Sequence, residues 1–157
     1  MKRTIVFVIA FCSMFCMNAC MTKTPIPYTN TPVTDSYVFQ NTTALTLTAS
    51  YPYFEDEIYA PLNAAIAQEV ESWRALYAEI YEQVVEECAK DPVLAKLKRY
   101  VEATYTVIAT NEEVTVLFDV RYYWGGNTEP SYSKEFTFIL ATGMVHETYT
   151  STSRVYT

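Results

Sequence analysis

The sequence predicts an α+β fold: a curved antiparallel β-sheet of four or five strands, packed by one long helix and a short second helix. Three observations predict it. A single apolar stripe with steps of three and four runs from Ile58 to Cys88. Several other runs alternate apolar and polar residues with a period of two. The later runs are joined by short turns, which make neighbouring strands antiparallel.

The chain opens with a leader. Lys2 and Arg3 give a positive start, and Thr4 to Phe15 is almost unbroken apolar sequence. This is the layout of a secretory signal, and the run is short of the ~20 residues that a membrane span needs. Met17-Asn18-Ala19-Cys20 resembles a lipobox, the recognition site of bacterial lipoprotein signal peptidase. The expectation is a signal peptide over 1–19 and a lipid-modified Cys20. Ordinary signal peptidase cleavage and modification at Cys16 are the alternatives. The resemblance implies a diacylglycerol thioether with palmitate-like chains, and two such chains suffice for stable anchoring. Cys12 and Cys16 then leave with the leader, and Cys88 remains the single free thiol.

Residues 20–36 are rich in threonine and proline (Pro25, Pro27, Pro32) and read as an extended tether. The folded domain is expected over 37–150, with a polar tail over 151–157. Tyr37 to Phe39 reads as a short strand. From Ala44 to Tyr53, Leu45, Leu47, Ala49, Tyr51 and Tyr53 share one face while Thr46, Thr48 and Ser50 share the other. Pro52 closes that strand region.

Glu55-Asp56-Glu57 stands where a helix amino terminus favours negative charge. Pro61 is acceptable only in the first turn, so the long helix starts near Tyr59. Its stripe is Ile58, Leu62, Ile66, Val70, Trp73, Tyr77, Ile80, Val84 and Cys88, with Glu69, Glu71, Glu79, Glu82 and Glu86 assigned to the wet side. Asp91-Pro92 reads as the cap and first residue of a second, short helix through Arg99.

Four strand patterns follow. Val101, Ala103, Tyr105, Val107 and Ala109 alternate with polar neighbours, and Asn111-Glu112 turns the chain. Val114 to Trp124 alternates next, before Gly125-Gly126-Asn127 breaks it. Tyr132 to Leu140 points Phe136, Phe138 and Leu140 inward, and Thr142-Gly143 leads into a last strand, Met144 to Tyr149.

Composition fits one domain. The chain has 157 residues, 50% hydrophobic, with 14 tyrosines and 3 glycines. Tyrosine and threonine suit a pleated, half-buried surface. Removing residues 1–19 leaves 18 acids against 9 bases, a net charge of −9. The only basic grouping is Lys96, Lys98 and Arg99, so nucleic acid is not an expected partner. The acidity reads as solubility.

No residue set reads as a catalytic centre. His146 is the single histidine, beside one acid, where a metal site needs three or four ligands. Cys88 on the apolar stripe reads as an inert buried thiol. Glu55, Asp56 and Glu57 are adjacent in sequence and cannot easily converge on one cation. Asp119 and Arg121 are placed to pair with Glu102 or Glu135 on the wet sheet face. The expectation is a non-enzymatic domain with no cofactor and no metal.

The candidate ligand-binding patch is Tyr123-Trp124-Gly125-Gly126-Asn127. Glycines at a strand end allow positive φ or close approach of a partner. Neighbouring aromatics stack on sugar rings or anchor a protein. The alternative is that Trp124 is core and the glycines only form a turn.

The order of Tyr51-Pro52, Leu62-Asn63-Ala64-Ala65-Ile66, Tyr122-Tyr123-Trp124-Gly125-Gly126, Phe136-Thr137-Phe138 and Thr142-Gly143 resembles one extracytoplasmic domain family. That domain is shared by RsiV-type lysozyme-sensing anti-sigma factors and PdaC-type peptidoglycan deacetylases. The resemblance covers roughly Leu47 to Thr148. This chain differs after the double glycine, at Asn127-Thr128-Glu129, and ends sooner than its relatives. It implies a cell-envelope lipoprotein on the cell or outer membrane, facing the periplasm or exterior. Its binding domain would be non-catalytic, taking cell-wall glycan or a protein such as lysozyme. The alternative is an envelope hydrolase or accessory domain acting on peptidoglycan.

Overall fold

The computed structural model describes residues 26–155. The leader, Cys20, the first part of the tether and residues 156–157 lie outside the described residues. The fold is α+β, a six-stranded, mostly antiparallel open sheet with one long helix. The strands lie side by side in chain order: β1 (Tyr28–Phe39), β2 (Thr42–Phe54), β3 (Arg99–Ala109), β4 (Glu113–Tyr123), β5 (Thr128–Ile139) and β6 (Met144–Val155). The helix α1 (Ala60–Lys90) connects β2 to β3.

Six strands replace the four or five expected, and the added length lies at both ends. Residues 28–36, read from sequence as tether, form most of β1. Val33 is buried there, and Pro32 is tolerated because β1 is an edge strand with one side free of ladder bonds. Gln40 and Asn41, at φ 48° and 65°, make the two-residue turn into β2. At the other end β6 runs past Tyr149 to Val155, because β5 begins at Thr128 and offers an edge that far. Residues 151–155 therefore belong to the sheet instead of a tail.

One pairing is parallel. Leu45–Ala49 of β2 lies beside Arg99–Ala103 of β3 in the same direction. The expectation of an all-antiparallel sheet fails here because β2 and β3 are joined by the whole of α1, a crossover long enough to return the chain to its starting end. The other four pairings are antiparallel.

The alternation in β2 changes phase. A register shift between Tyr37 and Val38 leaves both Ala44 and Leu45 buried. Further on, Tyr53 is 50% exposed and Phe54 1%, the reverse of the sequence expectation, and Pro52 does not end the strand. The cause is that β2 pairs with β3 only as far as Ala49, then continues with β1 alone. This hairpin end bends over the sheet, and Tyr28 of β1 meets Tyr105 of β3 at 6.2 Å between ring centroids. Asn63 holds the free side of Phe54: its Oδ1 accepts from the Phe54 N–H at 3.1 Å and its Nδ2 donates to the Phe54 carbonyl at 2.8 Å.

Asp56 Oδ1 accepts from the Ile58 N–H, capping a 3-10 turn, Glu57–Tyr59, that leads into α1. Leu62, Ile66, Val70, Trp73, Tyr77, Ile80, Val84 and Cys88 are all buried, as the stripe predicts. Ile58 precedes the helix and is half exposed. Trp73 packs edge-on against Phe118 at 5.2 Å, joining helix to sheet. The expected second helix is only a 3-10 turn, Pro92–Lys96, with Asp91 capping the Val93 N–H. Leu97 is already extended, and Arg99 opens β3.

Candidate functional site

The aromatic–glycine loop is a fastened corner. Gly125 and Gly126 take φ of 104° and 103°, which side-chain-bearing residues rarely adopt. Trp124 is half buried and packs against the core, edge-on to Tyr122 at 5.6 Å. Its carbonyl accepts from Arg99 Nε at 3.0 Å. The Tyr123 hydroxyl donates to the Gly126 carbonyl at 3.0 Å, and its ring lies against Tyr100. Gly126 and Asn127 are exposed. The loop thus offers backbone, Asn127 and part of Tyr123 to solvent, while the Trp124 ring packs inward.

Two ionic groups secure this corner from opposite sheet faces. Arg99 is buried, donating from Nη2 to Glu87 Oε2 at 2.5 Å and from Nη1 to the Leu94 carbonyl at 3.0 Å. On the other face, buried Glu129 accepts from the Tyr100 hydroxyl at 2.5 Å. Arg121 pairs with Glu102 at 2.6 Å, as the sequence predicts, whereas Asp119 accepts from Ser133.

Glu69 corrects the sequence reading most sharply. Assigned to the wet side, it is 4% exposed at the helix–sheet boundary. Its Oε1 accepts from Trp73 Nε1 at 2.8 Å and from the Tyr132 hydroxyl at 2.7 Å. Its Oε2 lies 3.1 Å from Lys134 Nζ, which also reaches Glu147 at 3.3 Å. Burial, then the Glu69 carboxylate, push the Tyr132 hydroxyl well above the ordinary tyrosine range. Burial pulls the Lys134 ammonium down, but Glu69 and Glu147 together outweigh it and raise the net value. A buried carboxylate held by three donors is a structural joint. The signal was present in the sequence: Glu69 stands three residues after Ile66 and four before Trp73, on the stripe itself.

An open concavity lies elsewhere, between β1 and α1. It has a volume of about 460 Å³ and is lined by Val33, Thr34, Asp35, Ser36, Leu47, Arg74, Tyr77, Ala78 and Tyr81. Tyr77 is buried, and among the described residues its hydroxyl has no hydrogen-bond partner. Burial first, then Asp35 and Tyr81, push that hydroxyl up to about 12. Tyr81 is 38% exposed, and its ring is held edge-on by Tyr37 at 5.0 Å. Arg74 pairs loosely with Glu71 at 3.5 Å. Sequence reasoning missed this cavity because Thr34, Asp35 and Ser36 lay in the segment read as tether.

His146 is exposed on the face away from the helix, opposite Thr137. Cys88 is fully buried. Glu55, Asp56 and Glu57 are exposed at the helix start. Among the described residues no three His, Cys, Asp or Glu side chains are grouped to hold a metal. No described helix is long and apolar enough to cross a membrane.

No protein-family model matches the sequence, and no curated protein matches it. Among solved structures, the crystal structure of a DUF3298 family member from Bacteroides fragilis is similar, with 13% identity and a TM-score of 0.47. The likeness covers 74% of this chain and 57% of that one, so the chain spans less than two thirds of that protein's length.

Proposed function

We propose that this chain is a lipid-anchored extracytoplasmic protein of the bacterial envelope, whose domain holds a ligand without transforming it. The observation that carries the binding half is the open concavity between β1 and α1, which Asp35, Arg74 and the partly exposed Tyr81 line together with the apolar Val33 and Leu47. Mixed apolar and polar lining at this volume is characteristic of small-molecule sites. The anchoring half is supported by the positive, apolar leader ending at Cys20. The motif order shared with RsiV- and PdaC-type domains supports an envelope setting.

Expression in a bacterial host with an alkyne-tagged palmitate tests the anchor. Label is expected on the full chain, in the membrane fraction, and lost in Cys20→Ala. A chain that carries no label and begins at another residue would overturn the anchor. Incubation with peptidoglycan tests the non-catalytic reading, and release of soluble fragments would replace it with the hydrolase alternative.

A further inference from the structure

We infer that the domain rests on the membrane that carries its lipid, meeting a zwitterionic bilayer surface with the end of the sheet where β1 begins. This deepens the proposed anchoring and rests on it. Residues 28–36 belong to β1, and Ile26 already packs against the core. Only the five residues 21–25 then separate a lipid-modified Cys20 from the folded domain. At ~3.5 Å per residue, the steps from Cys20 to Ile26 span about 20 Å at most. β1 itself, with 12 residues, is roughly 40 Å long. The end that carries Ile26 is therefore held within about half a strand length of the headgroups.

Exposed apolar side chains gather at that end. The register sets Tyr28 against Phe54 and Thr29 against Tyr53, and Ile58 follows shortly after β2 closes. β3 runs parallel to β2 and finishes at the same end, with Ile108 one residue from its close. Tyr28, Tyr53, Ile58 and Ile108 are all exposed. Behind them Tyr28, Phe54, Tyr59 and Phe138 form a run of ring contacts at 5.6, 5.2 and 5.5 Å, which gives the surface a packed backing. A tyrosine suits the interface because its ring is apolar and its hydroxyl stays wet. Such contacts are weak alone, but a short linker makes the encounter intramolecular, at an effective concentration of order mM. Glu55, Glu57 and Glu112 are exposed at the same end and repel anionic headgroups, so zwitterionic lipid is the surface that fits.

Nitroxide accessibility on the lipid-modified chain in phosphatidylcholine vesicles tests the contact. Tyr53→Cys, Ile58→Cys and Val38→Cys each supply one reactive thiol, since Cys88 is fully buried and Cys20 carries the lipid. Val38 is as exposed as the other two but lies at the far end of β1. The ratio of oxygen to nickel-chelate accessibility is expected to be several-fold higher at Tyr53 and Ile58 than at Val38. Adding phosphatidylglycerol is expected to lower that ratio at low salt. Water-like accessibility at both Tyr53 and Ile58, or a ratio at Val38 as high as theirs, would overturn the contact. A ratio raised by phosphatidylglycerol would overturn the zwitterionic surface. A palmitate-labelled chain whose reporters read as water loses this inference and keeps its anchor, whereas an unlabelled chain loses both.

Discussion

The Tyr132 hydroxyl of β5 donates to Glu69 of α1 at 2.7 Å, so a carboxylate from the long helix is sealed against the sheet by a phenol. Trp73 and Lys134 complete its shell. Three donors thus converge on a group that is itself almost inaccessible to water, and removing the carboxylate strands Trp73 and Tyr132 while Lys134 keeps Glu147.

Glu69→Ala is expected to lower the free energy of unfolding by about 2–4 kcal/mol, the cost of leaving the Trp73 and Tyr132 donors unsatisfied. Glu69→Gln keeps an acceptor for Trp73 and Tyr132 but loses the attraction to Lys134, and is expected to cost about 1–3 kcal/mol. Urea titrations followed by tryptophan fluorescence check both. Equal losses in the two variants would show that the acceptor contributes nothing.

Asn63 uses both ends of its amide on the Phe54 backbone. Asn63→Ala is expected to cost about 1–2 kcal/mol. Asn63→Asp is expected to be at least as harmful, because a carboxylate cannot donate to the Phe54 carbonyl and would face it with like charge. Amide hydrogen exchange at Phe54 should accelerate in both variants. An aspartate variant as stable as the native chain would contradict the double contact.

The corner at Trp124 depends on Arg99. Arg99→Ala is expected to cost about 2–4 kcal/mol, since Glu87 is left with Gln83 alone and the Leu94 and Trp124 carbonyls lose their Arg99 donor. Gly125→Ala meets no close atom, its added carbon lying 3.7 Å from Arg99 Nε, but the φ of 104° strains it. A loss of about 1–3 kcal/mol is expected from that conformation alone. Thermal unfolding of the two single variants and the double variant would show whether the losses are coupled.

Alkaline pH should report on Tyr77. Its folded hydroxyl is pushed from an ordinary 10.0 up to about 12, because burial disfavours the phenolate. The unfolded chain therefore loses this proton first. Stability from this group is complete below about pH 10 and drains as the pH climbs towards 12. Tyr37, Tyr59, Tyr105 and Tyr122 are raised too, with burial the first cause in each, so the native chain falls steeply over that window. Tyr77→Phe should fall less steeply, and at pH 7 should be as stable as the native chain or more so, since an unpartnered buried hydroxyl is removed. Denaturation midpoints taken from pH 8 to 12 decide it.

Where side chains repeat with a fixed period, the elements could be read in advance. The stripe from Leu62 to Cys88 located α1 within two residues, and the alternation of Val114, Val116, Phe118 and Val120 located β4. Edge strands were less legible, since β1 and β6 bury few side chains and show no clean apolar face. The loop from Tyr123 to Asn127 was visible as a glycine break, but not the anchoring of the Trp124 carbonyl by an arginine 25 residues away. The cavity was invisible, because one wall is an edge strand and the other is the flank of the apolar stripe.

By itself the sequence determined the long amphipathic helix and the inner strands. These rest on local order along the chain, and local periodicity is enough to specify a helix or strand. Only the tertiary structure decided that β2 and β3 run parallel, that Glu69 is buried and that the Tyr77 hydroxyl has no hydrogen-bond partner among the described residues. Each of these depends on which distant segments meet, and the energy of a buried polar group is set by neighbours that lie far away in sequence.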